Sequence, residues 1–401
     1  MGVLKRLRRR NGPRGPFYYG HRSVGNGPGG GLHPGGARVL AMCACLLALS
    51  GCGRKPSSAV DDTGFSGGDH EFYPGDYSEA GLIGTSLPGS WRPFSDDSPW
   101  NTPIPEDAQA HPRSDAIVFT LSQDRDHISL INSYLCPIWV VNSENVDGIR
   151  IRSDRIFDRW DQNGDGWTDV LVPATRHMYP EPTGDGQICI VDPFIHRLWD
   201  ISTFEWPEDR PFPTGTTFDV WNLTASGVAD PPPGTRWKRR GGRGSGFPGI
   251  AGIIRPEELE AGEIRHAVCF TSRMVRQHAT GANIFLPPAC RSDGDDVGPE
   301  YPIMGMRFQL NPELNEEDFD EWGLSRAGKI LARALQRYGM YLGVSGGAMK
   351  LEVQLLGPGR LANRREWDRR LPGFYKNVRR IPTSELRVVY TGEPVLRDPA
   401  Q

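Results

Sequence analysis

Beyond residue 90 the chain breaks into short runs of β-branched and aromatic residues, each closed within a few positions by Gly, Pro, Asn or Asp. Runs of this kind fall at 116–121, 128–132, 137–142, 148–153, 168–174, 187–192, 197–206 and 216–225. They continue at 249–254, 265–272, 303–310, 340–344, 349–355 and 385–390. Such residues suit a pleated, half-buried surface, and the 49 glycines and 35 prolines supply the turns between them. The spacing leaves little room for crossover helices. The expected fold is therefore all-β: an antiparallel, jelly-roll-like sandwich with one or two packed helices.

Two helices are predicted. Ser325 is placed to cap a segment whose Ile330, Leu331, Ala334, Leu335 and Tyr338 make one apolar stripe, and Gly339 follows as its stop. A shorter helix at 256–261 opens on Pro256 and ends at Gly262.

The beginning of the chain gives its address. Residues 1–38 are basic and rich in Gly and Pro, and 39–49 form an apolar run. That run is too short for a bilayer, which needs about 20 apolar residues, but it suits the apolar stretch of a signal peptide. It closes on Leu49-Ser50-Gly51-Cys52, which resembles the lipobox of bacterial lipoproteins. The resemblance implies cleavage before Cys52, a diacylglycerol on its sulfur, and an extracytoplasmic protein whose membrane partner is reached through lipid. Gly53 in place of Asp implies the outer membrane where the source has two membranes.

This divides the chain into a leader at 1–51, a flexible tether at 52–90, a sandwich domain at 91–357 and a C-terminal extension at 358–401. As a random coil the tether would span about 35 Å. The net charge of −3 provides no global field for nucleic acid. The motifs Ser98-Pro99-Trp100-Asn101-Thr102-Pro103-Ile104, Ile264-Arg265-His266-Ala267 and Ala334-Leu335-Gln336-Arg337-Tyr338-Gly339 resemble landmarks of a group of secreted bacterial proteins without an assigned activity. That resemblance covers nearly the whole globular part. It implies export and one domain, and it implies no reaction.

Several residues carry candidate chemistry. Asp161, Asn163, Asp165 and Asp169 stand at calcium-loop spacing around Gly166, but Val172 occupies the twelfth place, where an EF-hand carries Glu. Calcium with a structural role is one reading, and a plain Asx-rich hairpin is the other. His266 lies on an apolar strand face. It is either a hydrogen-bonded core residue or an acid–base group, with Arg291 or Arg307 neutralising a bound acid. Trp199, Trp206 and Trp221 fall in neighbouring strands, so Trp199 and Trp221 are candidates for a sugar-stacking platform, with core as the commoner fate.

The basic loop 236–243 suits an acidic polymer or a mobile surface. Gly343-Val344-Ser345-Gly346-Gly347 matches a nucleophile elbow in letters only, because a strand follows it and no histidine comes after it. Past Cys52 the cysteines are Cys136, Cys189, Cys269 and Cys290, and Cys269 with Cys290 is the favoured disulfide among three connectivities. Two functions fit these residues. One is an enzyme acting on polysaccharide, a lyase or glycoside hydrolase with His266, Arg291 and Arg307 at its site. The alternative is a non-catalytic glycan-binding or structural envelope lipoprotein with a calcium-braced loop.

Overall fold

The computed structural model describes residues 82–153, 160–229 and 242–397. The leader, Cys52, most of the tether and positions 236–241 of the basic loop lie outside the described residues. Two five-stranded sheets carry the fold. The first runs in the order β1 (Leu82–Gly84), β2 (Ile138–Val141), β3 (Ile188–Asp192), β4 (Arg197–Ser202) and β5 (Thr217–Asn222). The second has the order β10 (Lys350–Leu351), β6 (Val268–Ser272), β9 (Met340–Ser345), β8 (Arg307–Leu310) and β11 (Leu386–Val389). A two-stranded ribbon pairs β7 (Asn283–Phe285) with β12 (Val395–Arg397).

The chain is sheet-rich with few helices, as expected, but the sheets are mixed rather than antiparallel. β2 pairs with β3 in parallel, and so does β6 with β9. The physical reason lies in the connections, since a parallel pair needs a long return. Residues 142–187 make one return, and 273–339 make the other with room for β7, β8, α3 (Glu316–Glu321) and α4 (Arg326–Arg337).

Side-chain alternation on the first sheet feeds two cores. Ile138, Val140, Cys189, Val191, Leu198 and Trp221 enter a large core shared with the second sheet. Trp139, Ile188, Ile190, Trp199, Ile201 and Phe218 form a smaller core on the opposite face.

Both predicted helices are present. Ser325 Oγ accepts the Gly328 N–H at 3.2 Å at the start of α4, and Gly339 adopts a φ of +70° after it. In α2 (Pro256–Ala261) Pro256 is the first residue and Gly262, at φ +98°, ends it.

The strand expectations are corrected in two ways: 128–132, 148–153, 168–174 and 249–254 make only isolated bridges, and 116–121 lies within α1 (Ser114–Asp124). Its Ile117, Val118 and Leu121 are buried, a helical repeat, and Ser114 Oγ accepts the Val388 N–H of β11 at 2.9 Å.

The segment 358–397 packs into the same core. β11 pairs with β8, and Trp367 of α5 (Arg360–Arg370) and Phe374 of α6 (Phe374–Asn377) are buried in the large core. At the other end, β1 and the buried Leu87 place the last part of the expected tether in the fold. Among the described residues no helix is long and apolar enough to cross a membrane.

Candidate functional site

The apolar stripe of α4 turns Ile330 and Ala334 inward, which leaves Arg333 and Arg337 on the side facing β8 and the chain around Ile104. Gly262 turns the chain out of α2 so that Glu263 and Ile264 reach the same place. β11 contributes Arg387 and β8 contributes Gln309. Together they line an open cleft of about 810 Å³ whose apolar floor includes the buried Ile104, Ile264, Ile330 and Ala334.

The polar groups around this floor are not equally engaged. Arg337 Nη1 lies 3.1 Å from Glu263 Oε1, and Arg333 Nε donates to Glu316 Oε1 at 2.8 Å. Gln309 Nε2 donates to the Gln336 carbonyl at 2.6 Å. Arg387 makes a single side-chain hydrogen bond, from Nε to Gln309 Oε1 at 2.7 Å. Among the described residues the two Nη groups of its half-buried guanidinium have no partner. A planar fork held by one neighbour above an apolar floor suits a carboxylate, which it grips with two parallel hydrogen bonds. Glu106 stands exposed on the rim.

His266 is elsewhere and is shut in. It is 4% exposed, with Nε2 2.9 Å from Glu258 Oε1 and Nδ1 2.9 Å from the Ala267 carbonyl. Both ring nitrogens are thus engaged within the protein. Burial works against the ionised form of Glu258, but the Arg255 guanidinium and the His266 ring outweigh it and hold the carboxyl below its ordinary range.

Arg307 and Arg291 serve other neighbourhoods. Arg307 donates from Nε to the Tyr338 carbonyl at 2.9 Å and from Nη2 to the Thr102 carbonyl at 2.8 Å. Arg291 Nη2 donates to the Arg243 carbonyl. The three candidates are thus engaged with three different sets of partners.

Trp199 and Trp221 are 2% and 5% exposed. The β4–β5 register pairs Leu198 with Trp221 and Trp199 with Val220, so the two indoles face opposite sides of the sheet. They lie in separate cores and make no common platform.

Arg243, the one described basic residue of the basic loop, is 4% exposed. Its guanidinium pairs with Glu352 and donates to the carbonyls of Pro248 at 3.1 Å and Gly249 at 2.8 Å, and also to that of Ala251. Beside it the buried Asp200 accepts the Gly249 N–H at 2.8 Å, and burial raises its carboxyl pKa. A Cβ on Gly249 would lie 2.7 Å from Cys189 Sγ and 2.8 Å from Asp200 Oδ1, so glycine is required for this approach. The network lies between the sheets, out of reach of solvent.

In the aspartate loop, Asp161 accepts the N–H groups of Asp165 and Gly166, each at 3.0 Å. Asp169 Oδ2 accepts the Gln162 N–H at 2.7 Å, while Gly164 and Gly166 take φ values of +70° and +79°. The donors are hard oxygens at alternate positions, the chemistry that calcium takes. Arg150 already covers one side, 3.3 Å from Asp165 and 3.9 Å from Asp169. Among the described residues no group of three His, Cys, Asp or Glu side chains converges as a metal cage.

No family model, curated protein or solved structure matches the chain. Sequence reading missed Arg387 and Gln309 because they meet only through the β8–β11 pairing, Arg387 opposite Gln309.

Proposed function

We propose that the protein is a lipid-anchored extracytoplasmic lipoprotein, attached through Cys52, that binds a carboxylate-bearing polysaccharide without cleaving it. Arg387 grips the carboxylate, the apolar floor of the cleft takes a face of the sugar ring, and Arg333 and Arg337 lie alongside. The observation that carries this reading is the half-used guanidinium of Arg387 over an apolar floor. The enzymatic alternative keeps His266 as its catalyst, and it needs that ring to leave Glu258 and Ala267 before it can meet a substrate. We read the two sheets that share the large core as the layers of a sandwich.

Affinity electrophoresis and calorimetry with acidic and neutral polysaccharides are the test. Arg387→Ala is expected to weaken binding of a uronate-containing polymer about tenfold, the scale of one charge-assisted pair, and to leave neutral polymers unaffected. Equal binding by both proteins would sink the cleft as the site. Release of reducing ends that disappears in His266→Ala would move the reading to the enzyme.

Calcium, in this reading, is held by Asp161, Asn163, Asp165 and Asp169, and it braces the loop. Its affinity is weak because Arg150 competes for the same oxygens. With a Kd near that of extracellular calcium modules, about 10⁻⁴–10⁻³ M, 10 mM calcium is expected to add roughly 2 kcal/mol of stability. The increment should vanish in Asp161→Ala and grow in Arg150→Ala. A melting temperature indifferent to calcium and chelator in all three proteins would remove calcium from the account.

A further inference from the structure

We infer that Cys136 and Cys189 are joined by a disulfide in the mature protein, leaving Cys269 and Cys290 as buried thiols. None of the four is in a disulfide in the structure. The sulfurs of Cys136 and Cys189 nevertheless lie 2.9 Å apart, closer than two unbonded sulfurs rest. Strand geometry produces the approach. β2 and β3 are parallel with Ile138 opposite Cys189, and the Cys189 N–H donates to the Pro137 carbonyl at 3.1 Å. Cys136 lies two residues before Ile138, hence on the same face, and both cysteines enter the large core. Cys269 has a different neighbour, with its sulfur 3.6 Å from Glu352 Oε1.

The link would close a stretch spanning 53 positions in sequence. It would tie together the base of the excursion 142–187, whose described residues include no helix and no strand of either sheet. A cross-link over so long an interval removes much freedom from the unfolded chain.

Chemically, each thiol gives up a proton, and one electron pair passes to the disulfide of a thiol–disulfide oxidant. One cysteine attacks that disulfide and expels a thiol. The second cysteine then attacks the mixed disulfide, forming the Cys136–Cys189 bond and releasing the oxidant's second thiol. In the folded protein burial pushes both thiols up, Cys189 well above its ordinary range. Neither is then a ready nucleophile, so the exchange belongs to folding, before the strands close over them.

The inference rests on the export reading for its oxidising compartment, and the test separates the two. The full chain is purified from its host without reductant, denatured, alkylated and digested. In parallel, denatured and reduced full chain is refolded with oxidised glutathione. In the refolded sample the expected product is a peptide pair joined through Cys136 and Cys189, lighter by two hydrogens than its separate members, with alkyl groups on Cys269 and Cys290. Reduction is expected to lower the unfolding midpoint by about 10 °C, and Cys136→Ser/Cys189→Ser should lose that response.

Alkylated Cys136 and Cys189 after refolding, or a Cys269–Cys290 pair in their place, would overturn the inference. A pair that forms on refolding but is reduced in the protein from its host would uphold the geometry and count against export.

Discussion

Ending the chain after Gly357 is expected to leave a protein that does not fold. The deleted part carries Trp367, Phe374, Val378, Ile381 and Val388, all buried in the large core. Trp367 also donates from Nε1 to the Gln354 carbonyl at 3.0 Å, and its ring stacks on Phe374 with centroids 5.9 Å apart. Emptying the site of one buried aromatic costs about 3–5 kcal/mol, and the net stability of a domain is about 5–15 kcal/mol. The truncation removes three such rings, Trp367, Phe374 and Tyr375, and strips β8 of its outer partner β11. Circular dichroism during heating should show no cooperative transition for the fragment. A sharp melt close to that of the full chain would mean that residues 358–397 are dispensable and the core is not continuous.

Replacing Arg243 by Met should have the next largest effect. The substitution keeps an unbranched apolar stem but leaves the Glu352 carboxylate without its partner and removes a donor from the carbonyls of Pro248, Gly249 and Ala251, of which Pro248 alone keeps a backbone N–H, from Ala251. Breaking a buried ion pair from one side costs about 3–5 kcal/mol, because the remaining charge stays desolvated. For a domain of this size that is a fall of about 10 °C in melting temperature. Arg243→Met with Glu352→Met should recover part of the loss, since a pair of apolar groups leaves no orphaned charge. Arg243→Lys should fall between, because a point charge cannot serve four acceptors as a planar fork does. An Arg243→Met protein that melts like the parent would mean that the network contributes nothing to folding.

These two sites show why reading position by position goes astray here. Arg243 follows Arg239, Arg240 and two glycines, so its neighbours in sequence describe a solvated basic loop. Its environment is set by Glu352, more than a hundred positions away. The residues after 357 contain five arginines between Arg360 and Arg370, and that charge conceals Trp367, which alone carries much of the helix's contact with the core.

The sequence by itself determined what depends on near neighbours. α4 is legible because its apolar stripe, its Ser325 cap and the glycine after it all act within a turn or two of helix. α2 is legible from Pro256 and Gly262 for the same reason. Strands such as β3, β4 and β5 follow from β-branched and aromatic runs bounded by turns.

Only the tertiary structure decided which runs sit side by side. Segment 116–121 has the composition of a strand, yet packing Ile117, Val118 and Leu121 beside β11 makes it helical. The parallel pairing of β2 with β3 brings Cys136 to Cys189, and the pairing of β8 with β11 brings Gln309 to Arg387. Local propensity fixes the conformation of a segment. Its partner is chosen by burial summed over the whole chain, and that sum is not written at any one position.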